Sequence, residues 1–182
     1  MNIRSAVLEG INILKARSIL TAQLDAEILM AKSLDTNREY IILNNDKNLE
    51  DKDLKNFLSL IKKRASRKPI AYLVNKKYFW KNEFYVNKNT LIPRPDTELI
   101  VEQVLNLTKN KNKYSILDIG VGSGCILLSI LKERKNFYGT GIDICKNSLN
   151  ICKMNAKKLL LERRIKLYKS DVDKFAQGKY DL

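Results

Sequence analysis

The residues most able to do chemistry in this chain lie in one stretch, Ile116-Leu117-Asp118-Ile119-Gly120-Val121-Gly122-Ser123-Gly124-Cys125-Ile126. A short apolar run breaks into three alternate glycines and then resumes with helical spacing, which reads as strand, tight turn and helix. Glycines serve here because the backbone turns sharply and a ligand can approach it without Cβ atoms in the way. The helix behind such a turn offers free N–H groups. Two acids accompany the turn. Asp118 stands two residues before the first glycine, and Asp143 ends the next apolar strand, Tyr138 to Ile142.

The spacing G-x-G-x-G differs from the G-x-G-x-x-G of dinucleotide-binding proteins. A carboxylate at Asp118 disfavours a pyrophosphate nearby and suits a cationic group, such as the sulfonium or amino group of S-adenosylmethionine. Asp143 sits where a carboxylate accepts hydrogen bonds from a ribose diol. Asp171, after a third strand at Ile165 to Lys169, is placed to meet an adenine amino group. The plain alternative is an ordinary glycine turn with acids at loop positions.

The elements that must position these residues follow from the rest of the pattern. Residues 1–68 read as a small helical bundle, with stripes at Ile3, Val7, Ile11, Leu14, then Leu24, Ile28, Leu29, Ala31, then Leu54, Phe57, Leu58, Ile61. Thr21 reads as an N-cap, and Thr36 with Glu39 as a capping box. Residues 69–90 read as a β-hairpin linker, with strands near Tyr72-Leu73, Tyr78-Phe79-Trp80 and Phe84-Tyr85-Val86 and a turn at Lys81-Asn82-Glu83. Pro93-Arg94-Pro95 stiffens the entry to a helix that starts at Asp96-Thr97-Glu98 and runs to about Leu107. Helices are expected at Cys125 to Lys135 and Asn147 to Leu161, and Tyr180-Asp181-Leu182 reads as the start of a fourth strand. The expected fold is α/β: a helical bundle, a hairpin linker, and an incomplete Rossmann-like domain over residues 91–182.

Composition narrows the chemistry. The 182 residues include no histidine and three cysteines, Cys125, Cys145 and Cys152, without C-x-x-C spacing. Neither an imidazole base nor a zinc site is expected. No apolar run approaches the roughly 18 residues of a membrane span, and the first residues lack a signal-peptide pattern, so a cytoplasmic location is expected. The net charge of +14 favours anionic partners such as RNA or ribosomes, although scattered lysines beside asparagines also fit biased coding.

Taken together, Pro69-Ile-Ala-Tyr-Leu73, Phe79-Trp80, Pro93-Arg-Pro-Asp-Thr-Glu98 and Asp118-Ile-Gly-Val-Gly-Ser-Gly-Cys125 make the chain resemble the protein-(glutamine-N5) methyltransferases that modify translation release factors. The resemblance runs over essentially all 182 residues. It implies S-adenosylmethionine as cofactor and, as substrate, the glutamine amide in the Gly-Gly-Gln loop of release factors. By position it implies that Gly120, Val121, Gly122, Ser123 and Gly124 hold the methionine part, with Asp118 nearby. Asp143 would bind the ribose, and Asp171 and Val172 would line the adenine pocket, where the family commonly has an aromatic at the Val172 position. The family's catalytic signature, Asn-Pro-Pro-Tyr, occurs nowhere in the chain. The expectation is a C-terminally truncated sheet, exposed along the edge of the strand around Leu117, with activity absent or very low. Two rival expectations are a non-catalytic release-factor-binding fragment and a nucleic-acid amino-methyltransferase.

Overall fold

A computed structural model describes residues Met1–Leu182, which divide into two compact units, Met1–Val74 and Asn75–Leu182. The first unit is helical: α1 (Ile3–Lys15), α2 (Ala22–Ser33), α3 (Arg38–Leu43), α4 (Asp51–Ala65) and α5 (Ile70–Val74). The Asn2 side chain caps α1 by accepting from the Ser5 N–H at 2.9 Å. Leu14, Leu29, Met30, Phe57 and Ile61 close the core, each almost fully buried.

Three expectations for this unit are corrected. Leu24 is exposed, and the buried face of α2 instead carries Asp25 and Glu27. Arg64 donates to Asp25 at 2.7 Å and Arg38 to Glu27 at 2.6 Å, so partners from other helices make acids acceptable where the apolar pattern has none. The cap of α3 is Asn37, accepting from the Tyr40 N–H at 2.8 Å, rather than a Thr36–Glu39 box. Tyr72-Leu73 lies in α5, a short helix that follows Pro69, rather than in a strand; Ala71 and Leu73 are its buried side chains.

The second unit begins with an antiparallel pair, β1 (Lys76–Phe79) and β2 (Asn82–Tyr85), in the register Phe79↔Asn82. Its turn is Trp80-Lys81, one residue shorter than the expected Lys81-Asn82-Glu83 and starting one residue earlier, with Trp80 at φ 54°. This register buries Phe79 and Phe84 together, their rings 6.3 Å apart edge to face. One 3-10 turn, Pro95–Thr97, leads into α6 (Glu98–Leu107). The Glu98 carboxylate accepts the Trp80 N–H at 2.8 Å, which ties helix to hairpin.

The remainder alternates strand and helix: β3 (Ser115–Ile119), α7 (Cys125–Glu133), β4 (Tyr138–Asp143), α8 (Lys146–Lys158) and β5 (Ile165–Lys169). The three strands are parallel in the order β3-β4-β5, which leaves β5 as an edge strand. Leu127, Leu128, Ile130 and Leu131 of α7 and Cys152 and Ala156 of α8 fill the core with Phe137. Arg164 closes the end of α7, donating to the carbonyls of Leu131, Arg134 and Lys135 at 2.7–2.9 Å. On the side of β3 away from β4, Asp181 N–H donates to Ser115 O at 2.8 Å and Leu117 N–H to Leu182 O at 2.9 Å. The edge near Leu117 is therefore partly paired, where the sequence reading expected it bare.

Candidate functional site

The turn between β3 and α7 holds three glycines in the left-handed region, at φ 74° (Gly120), 54° (Gly122) and 81° (Gly124). Other residue types are strained in that region, which is why the spacing was readable from sequence. The N–H groups of Gly120 and Val121 both donate to Ile142 O at 2.9 Å, fastening the turn to the end of β4. A Cβ built on Gly120 meets nothing within 4 Å, so the turn borders open space there. One built on Gly124 lies 2.6 Å from Cys152 Sγ, so the far side of the turn is packed against α8.

Asp143, the last residue of β4, holds the turn from its other side. Its Oδ2 accepts the Gly122 N–H at 3.0 Å and its Oδ1 the Cys145 N–H at 2.8 Å. Each carboxylate oxygen has further acceptor capacity, so these bonds leave room for a ligand's hydroxyls. Asp118 differs. Its Oδ2 is buried and has no hydrogen-bond partner. Burial pushes this carboxyl up to about 6, against the N–H of Leu127, and the Asp143 charge adds to the rise. An unpaired buried carboxylate oxygen beside an open turn is a site short of a cation or a donor.

Asp171 and Val172 lie at the end of the neighbouring strand, β5. They are joined to the site through the Ser170 N–H, which donates to Asp143 O at 3.2 Å. Both are exposed, and the Asp171 side chain accepts from the Asp173 N–H at 3.4 Å. The structure thus brings Asp118, the glycine turn and Asp143 into one cluster, with Asp171 and Val172 one strand away at the same end of the sheet. That end is where the carboxyl termini of parallel strands meet a reversal of strand order, since the chain returns to β3 after β5. A cleft of about 560 Å³ opens at the opposite end, by Lys113, Tyr138, Arg163 and Lys166; the strands' amino ends are not where such sheets bind ligands. Burial lifts the Cys125 thiol to about 11 and the Cys152 thiol to about 12, so neither supplies a thiolate at neutral pH.

Asn155 is the polar residue that sequence reasoning missed. It is 1% exposed on α8 and bonds both to Tyr85 and to Ser123 of the turn. The signal available was one amide among Ile151, Cys152 and Ala156 on the apolar face of that helix.

The family profile described as "Methyltransferase domain" matches residues 110–182, the part that carries the parallel sheet and the glycine turn. Over most of its length the chain is a homologue of the release factor glutamine methyltransferases. The profile "PrmC N-terminal domain" matches residues 5–74. The release factor glutamine methyltransferase of Shewanella oneidensis is 37% identical over 156 residues, covering 86% of this chain and 54% of that one. That of Clostridium botulinum is 36% identical over 172 residues, covering 94% and 61%. The chain therefore spans a little over half the length of these relatives. Among solved structures, an RNA methyltransferase from Salinibacter ruber in complex with S-adenosyl-L-homocysteine aligns at 21% identity and TM-score 0.41, covering 46% of this chain and 53% of that one.

Proposed function

We propose that the glycine turn, Asp118 and Asp143 bind S-adenosylmethionine, and that the chain serves methylation of the glutamine amide in the Gly-Gly-Gln loop of release factors. The substrate reading is supported by the similarity to release factor glutamine methyltransferases. The cofactor reading is carried by the buried, unpaired oxygen of Asp118. A positively charged methionine moiety over the turn supplies the missing partner, and the open space at Gly120 leaves room for it. When bound, the cofactor brings an electrophilic methyl group.

The chain's own residues bind and orient. Gly120, Val121, Gly122, Ser123 and Gly124 cradle the methionine part, Asp143 takes the ribose hydroxyls, and Asp171 and Val172 border the adenine. Residues 1–68 contact the release factor, and the net charge of +14 adds a weak attraction to RNA or ribosomes. The setting is the cytoplasm; no helix is long and apolar enough to cross a membrane. Asn-Pro-Pro-Tyr, the motif that the resemblance assigns to orienting the amide for attack, is not among the 182 residues, whose own part in the reaction is to bind the cofactor.

Calorimetric titration with S-adenosylmethionine tests the reading. Saturable one-to-one binding, abolished in Asp143→Ala and retained in the distant Tyr40→Ala, is the expected result. A folded chain that gives no heat overturns it.

A further inference from the structure

We infer that Asn155 is a positioning residue for the glycine turn, clamping it to the β1–β2 hairpin so that the ligand-facing backbone is set before anything binds. The inference rests on the cofactor reading only for the purpose of the clamp; its geometry stands apart from it.

The Asn155 side chain is used to capacity. Oδ1 accepts the Tyr85 N–H at 2.7 Å, and Nδ2 donates to Tyr85 O at 3.0 Å and to Ser123 O at 2.9 Å. The first two bonds copy the way one strand residue pairs with another, so the amide acts as an extra backbone unit beside β2. The third reaches into the turn and fixes the plane of the Ser123–Gly124 peptide. Asp143 holds Gly122 from the other side, at 3.0 Å. Two side chains, one at the end of β4 and one on α8, therefore pin the turn's peptides on either side of Gly122–Ser123. Asn155 is 1% exposed and Ser123 is 3% exposed, so no water is on hand to replace these bonds.

The amide is chemically specific. Aspartate keeps the acceptor for Tyr85 but has no proton for either carbonyl, whereas alanine removes all three bonds. Buried donors and acceptors left without partners loosen the segment that carries them.

The test is amide hydrogen exchange of the ligand-free chain, followed residue by residue by NMR. In Asn155→Ala the Tyr85, Gly122 and Gly124 N–H groups should each lose at least tenfold in protection. In Asn155→Asp the Tyr85 N–H should keep its protection while Gly122 and Gly124 lose theirs. Leu131→Ala, a core variant at the far end of α7, controls for general loosening of the unit and should leave the turn no more affected than its surroundings. Unchanged protection of Gly122 and Gly124 in both Asn155 variants, or equal loss in Leu131→Ala, overturns the inference. Titration of the same samples with S-adenosylhomocysteine reads the cofactor separately. If the wild-type chain gives the expected exchange pattern and no binding, the clamp stands and the cofactor assignment falls.

Discussion

At the scale of single residues, the pH response of Asp118 follows from its burial. An aspartate in the unfolded chain ionises near 3.8, and here the folded chain holds the proton up to about 6. Between these values the unfolded state sheds its proton first, so this group's contribution to stability is full below about pH 4 and falls as pH rises to about 6. The shift corresponds to about 3 kcal/mol. Denaturant midpoints measured from pH 4 to 7 should fall more steeply for the wild type than for Asp118→Asn. A cationic ligand demands the ionised form, so affinity for S-adenosylmethionine should be about tenfold tighter at pH 7 than at pH 5. In Asp118→Asn the affinity should be weak and flat with pH. Asp25 is the opposite case, a buried acid with its partner in place. Asp25→Ala strands Arg64, whose side chain is 16% exposed, and should cost the helical unit about 3 kcal/mol in chemical denaturation.

At the scale of elements, the β3–α7 turn separates a glycine that faces open space from one that packs. Gly120→Ala adds a methyl to open space at positive φ, so it should cost about 1 kcal/mol of stability and at least tenfold in cofactor affinity. Gly124→Ala drives a methyl against Cys152 and Leu128, at 2.6 and 2.9 Å, and should lower the melting temperature well beyond Gly120→Ala. These positions were legible in the sequence because strand, turn and helix are local, and because left-handed backbone leaves glycine as its mark. Asp118 and Asp143 were legible as a pair because both end neighbouring parallel strands. What escaped depends on distant partners. The phase of α2 is set by Arg64, 39 residues from Asp25, and the role of Asn155 by Tyr85, 70 residues away. The Trp80 turn escaped because aromatic residues favour strands, and only the joint burial of Phe79 and Phe84 selects the tighter register.

At the scale of the whole molecule, two units with separate cores imply two cooperative transitions. Calorimetry should resolve them by perturbation. Asp25→Ala should lower one melting event, and S-adenosylhomocysteine should raise only the other. A single event that moves under both treatments means that the units unfold as one.

The free edge of β5 has a consequence for colloidal behaviour. An unpaired strand edge is a template for other chains, and this one has neither proline nor bulge to blunt it. It does have Lys166 and Lys169 exposed along its length, on a chain whose net charge is +14. Its guard is therefore repulsion, and repulsion is screened over ~10 Å at 0.1 M salt and ~3 Å at 1 M. Light scattering should show a monodisperse protein in dilute buffer that self-associates as ionic strength rises. Lys166→Gln with Lys169→Gln should bring that onset to lower salt.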